Sequence, residues 1–254
     1  MGDLIGKRAL VTAGGQGIGL AISKALVERG CHVCIHYFSS AIDVNELGKF
    51  APEGVDVKIT ARQADLSRKD QAEMLVQQAM DDLGGLDILI NNAGSLVERR
   101  LLEQIDEDIY TRIMDLNMAS MAWVTRAAVP ALKASGEASI VNLSSLAGRK
   151  GGHGGSLLYA TAKGAVLTWT RALSAELGPV GIRVNAVTPG LILGTSFHAT
   201  HTTRESADET IRGIPLGRAG NPQDVARAVV YLASEYDGFI TGATLDINGG
   251  VYCA

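Results

Sequence analysis

The chain has 254 residues, and 46% of them are hydrophobic, so it is long enough to bury the core of a single α/β domain. A formal net charge of −4 argues against a nucleic-acid partner, which requires a clustered positive surface. Charged residues interrupt the apolar ones near the start, and no apolar run reaches membrane length. We therefore expect a cytoplasmic protein without a membrane segment or lipid anchor.

Seven short apolar runs alternate with longer amphipathic stretches. This alternation is typical of βαβ units, and it predicts an α/β fold with seven parallel strands and helices on both faces of the sheet. No linker or repeat interrupts the pattern, so we expect one domain over residues 1–254. The predicted strands are residues 8–13, 32–36, 57–63, 86–91, 138–144, 182–187 and 243–247.

Two helix starts have recognisable capping residues. Ser67, with Asp70 three residues later, predicts a capping box, and Asn221 followed by Pro222 predicts an N-cap before a proline in the first turn. Ligands of such sheets bind beyond the carboxyl ends of the strands. Functional residues should therefore be sought at those ends.

The cysteines and histidines do not predict a metal site. Alternation along the second predicted strand places Cys31 and Cys34 on opposite faces, which disfavours a disulfide or a shared metal and favours two buried, small apolar side chains. Histidines at positions 153, 198 and 201 do not have a spacing that requires a metal ion.

A glycine-rich turn, residues 12–19 with the sequence TAGGQGIG, follows the first predicted strand and leads into an amphipathic helix. This order suits a dinucleotide, because exposed N–H groups and the helix dipole bind a pyrophosphate. Glycine also occurs in ordinary tight turns, so the prediction of a dinucleotide site depends on the order of strand, turn and helix. The candidate cofactor contacts in this turn are Gly14, Gln16, Gly17, Ile18 and Gly19.

Two further strand ends carry candidate nucleotide contacts. Asp65 and Leu66 follow the third predicted strand, where the Asp65 carboxylate can accept a hydrogen bond from an adenine amino group. Asn92, Ala93 and Gly94 follow the fourth, where small residues let the backbone approach a ligand closely. The alternatives are a helix cap at Asp65 and a plain turn at residues 92–94.

Tyr159 and Lys163 are four residues apart on a helix predicted to begin near Ser156, so both side chains lie on one face. A free phenol has a pKa of about 10, and lowering it to near 7 takes about 4 kcal/mol of preferential stabilisation of the phenolate. A neighbouring ammonium group together with a positively charged group of a bound dinucleotide can supply it. The alternative is a packing role for the tyrosine, since this spacing also occurs by chance.

Ser145 lies 14 residues before Tyr159, at the carboxyl end of the fifth predicted strand. Its hydroxyl can donate to a substrate oxygen there as negative charge develops. Ser144 is the adjacent competitor, and alternation along the strand means that only one of the two faces the cleft.

Together, the glycine-rich turn, the two serines at a strand end and the Tyr159/Lys163 pair resemble the short-chain dehydrogenase/reductase family. The resemblance extends from residue 12 to residue 250 and includes segments 185–190, 215–225 and 241–250. It implies a Rossmann-type doubly wound sheet and an oxidoreductase that interconverts a carbonyl and an alcohol with a nicotinamide cofactor. It also implies that Tyr159 is the general acid/base, that Lys163 holds the nicotinamide ribose and lowers the phenol pKa, and that Ser145 positions the carbonyl.

The same resemblance implies further roles. Asn117 matches the asparagine that anchors a proton-relay water, with a helix-interior residue satisfied by the backbone as the alternative. Pro189, Gly190 and Ile192 belong to the segment that closes over the nicotinamide. The family also suggests a homotetramer packed through residues 108–134 and 159–177.

Three positions depart from the family pattern. Ala13 occupies the first glycine of the turn, and the tyrosine is one residue further from the serine than is common. Gly194 takes the place of a usual threonine, with Thr195 directly behind it. We expect Gly14 to absorb the turn and a one-residue insertion between residues 151 and 158 to be harmless.

Residues 193–213 predict a mobile lid over the substrate. The segment is more polar than a lid over a long aliphatic substrate would be, so it favours a polar, anionic carbonyl compound. Arg149 and His198 are the candidate substrate contacts, with Arg99 and Lys150 as further positive side chains near the strand ends. Surface charge in contact with solvent is the alternative.

Three functions remain open. Phe197-His198 and the C-terminal tail resemble family members that reduce uronate-derived keto sugars, which favours a keto sugar acid. The general outline equally resembles 3-oxoacyl thioester reductases. A nicotinamide-binding regulator without turnover is the alternative of another class.

The residues after the second predicted strand decide the cofactor prediction. An NAD enzyme of this fold presents Asp or Glu to the ribose hydroxyls there, whereas the family pattern places Tyr37 at that position and no carboxylate follows until Asp43. Nothing there repels a 2′-phosphate, and Ser39 and Ser40 can donate to it, although no Arg or Lys lies between residues 32 and 48. NADPH is therefore favoured, with NADH as the alternative.

Overall fold

The strands form one parallel sheet in the computed structural model, which describes residues 4–39, 41–234 and 238–254. The sheet has seven strands in the order β3-β2-β1-β4-β5-β6-β7, and every neighbouring pair is parallel. The strands are β1 (Arg8–Val11), β2 (His32–Tyr37), β3 (Ile59–Gln63), β4 (Ile88–Asn91), β5 (Ala138–Leu143), β6 (Ile182–Pro189) and β7 (Thr244–Ile247).

The predicted α/β class and all seven predicted strands are confirmed. The order of the strands reverses between β1 and β4, so the loops after these two strands diverge and leave a crevice at the carboxyl edge. β6 continues to Pro189, two residues further than predicted, because Thr188 and Pro189 still pair with β7. The end of β6 therefore lies beside this crevice.

Helices cover both faces of the sheet. Ile22 and Val229 are buried on one face, and Leu75 and Val124 are buried on the other. The helices are α1 (Gly17–Val27), α2 (Val44–Gly48), α3 (Lys69–Leu83), α4 (Glu107–Met114), α5 (Ser120–Ser135), α6 (Leu146–Lys150), α7 (Leu157–Leu177), α8 (Ser196–His201), α9 (Arg204–Arg212) and α10 (Pro222–Ala233). Short 3₁₀ turns at Leu102–Gln104 and Gly178–Val180 and a π-helical turn at Asp115–Ala119 complete the helical segments of the described ranges.

Cys31 and Cys34 are fully buried on opposite faces of the sheet, as predicted. Burial raises the pKa of both thiols, that of Cys34 to about 11. Both therefore remain protonated at neutral pH and act as small apolar side chains.

One of the two predicted helix caps is confirmed. The Asn221 side chain accepts from Asp224 N at 3.0 Å and Pro222 stands in the first turn of α10, as expected. The predicted capping box at Ser67 is wrong, because α3 begins after Arg68 and no side chain caps it. The Ser67 hydroxyl instead donates to the Asp65 carboxylate at 2.6 Å.

The predicted lid, residues 193–213, contains α8 and α9, and residues of both helices line the cleft described below. Hydroxyl side chains cap both helices. Thr195 accepts from His198 N at 3.3 Å, and Thr203 accepts from Ser206 N at 3.2 Å. None of the helices in the described ranges is long and apolar enough to span a membrane.

Candidate active site

A cleft of about 540 Å³ runs along the carboxyl edge of the sheet. Residues of the glycine-rich turn, of the ends of β4, β5 and β6, of the start of α7 and of the lid helices line it. The predicted nucleotide turn and the predicted catalytic side chains therefore open into the same cleft, whose volume is typical of ligand pockets.

The N-terminus of α1 forms one end of this cleft. Gln16 occupies the N-cap position, but its side chain does not cap the helix, and the first turn contains no acidic residue. The first N–H groups of α1 are therefore left for an anionic ligand. Gly17 has φ +51, and a Cβ at position 19 would overlap the carbonyl oxygen of Ala13. This geometry fits a dinucleotide pyrophosphate at the turn.

Most of the predicted cofactor residues line the cleft. They are Gln16, Gly17, Ile18, Gly19, Asn92, Gly94, Tyr159, Lys163, Pro189, Gly190 and Ile192. Five others lie outside the lining residues, namely Tyr37, Ser39, Asp65, Leu66 and Ala93. Gly14 also lies outside it, and its carbonyl accepts from Ser23 Oγ at 3.0 Å inside the turn. Ser40 lies outside the described residues, and the cofactor roles of the lining residues and of these seven all remain predictions.

Asp65 does not cap α3, as its structural alternative stated, and Asn92 contacts the glycine-rich turn rather than only its own turn. Asp65 Oδ1 accepts from the main chain and the hydroxyl of Ser67, so the carboxylate stabilises the turn before α3. Asn92 Nδ2 donates to the carbonyl oxygens of Thr12 and Ala13 at 3.0 and 3.1 Å. The end of β4 therefore fixes the glycine-rich turn in place.

Of the two serines at the end of β5, Ser145 is the one whose side chain lies near Tyr159. Ser144 is buried, and its hydroxyl donates to the Lys163 carbonyl oxygen at 2.7 Å. Ser145 is half-buried, caps α6 by accepting from Ala147 N at 3.1 Å, and lies near enough to Tyr159 for its side chain to lower the pKa of the phenol. Strand alternation thus directs Ser145 towards the phenol.

Lys163 lies one helical turn after Tyr159, as predicted. Its Nζ donates to the carbonyl oxygen of Leu143 at 2.9 Å and lies 5.8 Å from the centroid of the Tyr159 ring. A Cβ at Gly94 would come within 2.8 Å of this Nζ, so only glycine leaves room for the ammonium group. Complete burial lowers the pKa of Lys163 to about 8.

Burial raises the pKa of Tyr159, and the hydrogen bond with Ser145 opposes that rise. Lys163 contributes a positive charge near the ring, but lowering the phenol pKa towards 7 requires more positive charge than these side chains supply. The oxidised nicotinamide ring of a bound cofactor would supply it.

Asn117 lies in the π-helical turn between α4 and α5, a feature often found at functional sites. Its Oδ1 accepts from Ser95 N at 3.1 Å, and its Nδ2 donates to the carbonyl oxygens of Ser95 at 2.8 Å and Ile113 at 2.9 Å. The side chain is thus satisfied by backbone groups, as the alternative states, and it holds the segment after β4. Val97 in this segment has φ +62, an uncommon conformation for a β-branched residue. The proton-relay water remains a prediction.

The predicted lid places an aromatic cluster against Tyr159. The Phe197 ring centroid lies 5.8 Å from that of Tyr159, 5.1 Å from that of His198 and 5.2 Å from that of His201. His198 lines the cleft as predicted, and its Nδ1 is 2.9 Å from Thr202 Oγ1. Burial, and to a lesser degree His201, lowers the pKa of His198 to about 4. His198 is therefore a neutral hydrogen-bonding group at pH 7.

Thr195, rather than Gly194, meets the nucleotide turn. Thr195 lines the cleft, and a Cβ on Gly17 would be 3.5 Å from it. Gly194 has φ +78 and forms the bend before α8. The departure from the family pattern therefore moves the threonine by one residue without removing it from the site.

Arg149 does not reach the cleft. Its Nε donates to Asp246 Oδ1 at 3.1 Å, and its guanidinium lies over the Tyr252 ring, 5.8 Å from the centroid. The structure therefore corrects the prediction of a substrate contact at Arg149. The sequence does not reveal that β7 brings a carboxylate to this position.

Sequence reasoning missed two groups of residues at the site. Leu96, Ile214 and Val251 line the cleft, although no motif marks them. His36, at the end of β2, accepts a hydrogen bond from Ala13 N at 2.9 Å. A histidine within an otherwise apolar strand beside the glycine-rich turn was the available signal.

Comparison with known proteins extends the likeness over the whole chain. A family model described as enoyl-(acyl carrier protein) reductase matches residues 12–252. The 3-oxoacyl-[acyl-carrier-protein] reductase of Chlamydia muridarum is 33% identical over 256 residues, with 98% of each chain covered. The (3R)-3-hydroxyacyl-CoA dehydrogenase of Canis lupus familiaris is 36% identical over 253 residues, which cover 96% of this chain and 95% of that one.

Solved structures are similar to this chain over nearly its whole length. The NADH-dependent reductase A1-R′, described as responsible for alginate metabolism, has a TM-score of 0.88 and 34% identity over 99% of each chain. Its complex with NAD has a TM-score of 0.86 at the same identity and coverage. With its matching sheet and its Ser145, Tyr159 and Lys163 arrangement, this chain belongs to the short-chain dehydrogenase/reductase family of nicotinamide-dependent oxidoreductases.

Proposed function

We propose that this enzyme reduces the carbonyl group of a polar substrate that carries a carboxylate, such as a keto sugar acid. The observation that carries the proposal is the charge of the cleft. None of the described residues that line it is Asp or Glu, although the chain has a net charge of −4. Arg99 and Lys150 line it, and Arg99 Nη2 lies 3.4 Å from the carbonyl oxygen of His201 in the lid. Such a cleft stabilises an anionic substrate.

The reaction follows from the positions of three side chains. A reduced nicotinamide held at the glycine-rich turn would supply the hydride for the carbonyl carbon. Tyr159 gives its proton to the carbonyl oxygen, while Ser145 donates a hydrogen bond to the same oxygen as negative charge develops. Lys163, held by the Leu143 carbonyl, keeps a positive charge beside the phenol and favours release of its proton.

Arg99 is the main candidate for binding the carboxylate. Its Nη1 donates to the Gly154 carbonyl oxygen at 3.0 Å and its Nη2 to that of His201 at 3.4 Å, so no acidic side chain neutralises it in these contacts. The Phe197 ring contacts both the His201 ring and the phenol ring of Tyr159.

The relatives support two substrate classes. Alginate is a polymer of uronic acids, so the similarity to the reductase A1-R′ supports a sugar-acid substrate for this chain. The bacterial and canine relatives, named for 3-oxoacyl and 3-hydroxyacyl substrates, favour an acyl thioester. The polar lid, together with Arg99 and Lys150 in the lining of the cleft, favours the sugar acid.

The test is a comparison of kcat/KM for a keto sugar acid, its neutral methyl ester and a 3-oxoacyl thioester. We expect the acid to exceed its ester at least tenfold, about 1.4 kcal/mol, because only the acid pairs with Arg99. The Arg99→Gln variant should lose this preference, whereas Arg126→Gln, a control on the surface of α5, should keep it. A thioester or an ester that outruns the acid contradicts the proposal. Cofactor binding without turnover of any substrate supports the regulator instead.

NADPH is the cofactor that we propose, with NADH as the alternative. The described residues that directly follow β2 include Phe38 and Ser39, both exposed, and the first carboxylate is at Asp43. No acidic group there opposes a 2′-phosphate. Against this, the similar reductase A1-R′ is NADH-dependent. The measurement is kcat/KM with each cofactor on one substrate, and a tenfold preference for NADH would reverse the assignment.

We also propose a cytoplasmic homotetramer that packs through α4, α5 and α7. Exposed apolar side chains support this assembly, because Leu102, Tyr110 and Leu157 on or beside these helices are 72%, 50% and 47% exposed. Light scattering coupled to size-exclusion chromatography should give four times the chain mass of 26.6 kDa. A mass equal to that of a single chain would contradict the proposed tetramer.

A further inference from the structure

Ala13 has an unusual backbone conformation for a residue with a side chain. It stands where the family turn has its first glycine, and its φ of +48 lies in the left-handed region that glycine adopts more easily. Ala13 also lines the cleft, directly before the residues whose N–H groups face the pyrophosphate position. The nucleotide turn therefore depends on a conformation that alanine alone does not favour.

Hydrogen bonds hold this residue from both sides. Ala13 N donates to His36 Nδ1 at 2.9 Å, and Ala13 O accepts from Asn92 Nδ2 at 3.1 Å. The next residue is fixed by the same strand, since Gly14 N donates to the His36 carbonyl oxygen at 2.9 Å. The start of the turn is thus attached to the ends of β2 and β4.

These contacts determine the tautomer of His36. A backbone N–H group can only donate, so Nδ1 must accept and carry no proton. Nε2 then carries the proton and donates to the Ala64 carbonyl oxygen, 3.0 Å away. Burial lowers the pKa of His36, which is 3% exposed, in agreement with a neutral ring. The imidazole therefore connects the nucleotide turn to the end of β3 in one defined orientation.

We propose that His36 is a positioning residue for the nicotinamide cofactor. Its Nδ1 holds the Ala13 peptide in the left-handed conformation that shapes the pyrophosphate site, and so replaces the conformational freedom that glycine provides in the family turn. The inference uses the family assignment and the cofactor, and it does not depend on the proposed substrate.

The test uses two substitutions that each keep one of the two imidazole contacts. In His36→Asn the amide oxygen lies near the position of Nδ1 and can still accept from Ala13, whereas in His36→Gln the longer amide can still donate to Ala64 but no acceptor meets Ala13. Binding of NADH and NADPH is measured by fluorescence titration. We expect His36→Gln to weaken binding of the tighter cofactor about tenfold and His36→Asn to stay within about threefold of wild type.

Ala13→Gly provides the rescue. Glycine adopts the turn without help, so adding Ala13→Gly to His36→Gln should restore most of the lost affinity. His32→Gln is the matched control, because His32 Nδ1 accepts from Lys58 N at 2.9 Å at the other end of β2, away from the cleft. This control should leave cofactor affinity unchanged. At saturating cofactor, kcat of His36→Gln should stay within about twofold of wild type.

Three results overturn the proposal. They are equal weakening in His36→Asn and His36→Gln, failure of Ala13→Gly to restore affinity, and an effect of His32→Gln as large as that of His36→Gln. If His36→Gln does not fold, the double variant with Ala13→Gly is compared with Ala13→Gly alone. Their affinities should then agree within about threefold, and a larger gap also overturns the proposal.

Discussion

The Phe197 ring on lid helix α8 lies 5.8 Å, centroid to centroid, from the ring of Tyr159, the proposed proton donor. The lid is therefore in contact with the catalytic residue itself, and not only with the outer part of the cleft. Through the same ring it contacts His198 and His201. Closure of the lid, exclusion of water and the position of the phenol are consequently linked by one aromatic side chain.

Phe197→Ala should raise KM for the carbonyl substrate about tenfold while cofactor affinity stays near wild type. Removing the ring opens the substrate end of the cleft but leaves the nucleotide turn untouched. Steady-state kinetics and a fluorescence titration of the cofactor make the comparison. Leu216→Ala, which truncates an apolar side chain that is 71% exposed, is the control. A change in cofactor affinity equal to the change in KM would show that Phe197 acts on the whole fold.

Tyr159→Phe should abolish turnover and leave cofactor affinity nearly intact, because only the ionisable oxygen is removed. Lys163→Ala should impair both, since its ammonium group lies beside the phenol and next to Gly94 in the cofactor cleft. The measurements are kcat and the cofactor Kd. If Tyr159→Phe kept a tenth of wild-type kcat, another group would have to be the proton donor.

As the pH rises, deprotonation of Lys163 should lower the activity of the enzyme but reduce the cost of burying this side chain. Its pKa is about 8 in the folded protein, whereas an unfolded lysine has the ordinary value of 10.5. The role proposed for Lys163 uses the ammonium form, so kcat/KM should fall above pH 8. The unfolded chain binds the extra proton between pH 8 and 10.5, so burial of this side chain costs less stability as the pH rises through that range.

The comparison needed is between wild type and Lys163→Met, because other side chains also titrate in alkaline solution. Urea unfolding at pH 8 and pH 10 should show that the variant's advantage in stability shrinks as the pH rises. An unchanged difference between the two proteins would mean that the pKa of Lys163 is not lowered in the folded state.

Periodicity and local motifs were sufficient to predict the seven strands, the nucleotide turn and the Tyr159/Lys163 pair, because these depend on spacing within one element. Contacts between distant segments were not predictable in this way. Arg149 was expected near the substrate, but it pairs with Asp246, which lies 97 residues later in the chain. The acceptor role of His36 likewise depends on the approach of β2 to the turn after β1.

The mobile lid is a prediction that hydrogen exchange can test. Amides of α8 and α9 should become better protected when cofactor and substrate bind together, because the lid helices line the cleft and few of their residues are buried. Amides of β5, which is buried along its whole length, provide the internal reference. Equal protection of the lid with and without ligands would exclude a lid that closes on binding.

Arg149 and Asp246 should contribute to stability rather than to substrate binding. Their side chains are 15% and 18% exposed, the guanidinium contacts the carboxylate through Nε and Nη2, and Thr188 also donates to Asp246. Arg149→Met leaves that carboxylate without its cation, and we expect it to cost about 1–3 kcal/mol in urea unfolding. Because Arg149 does not line the cleft, KM for a keto acid should change less than twofold, whereas Arg99→Gln should raise it about tenfold with little loss of stability. A rise in KM for Arg149→Met as large as that for Arg99→Gln would instead support a contact between Arg149 and the substrate.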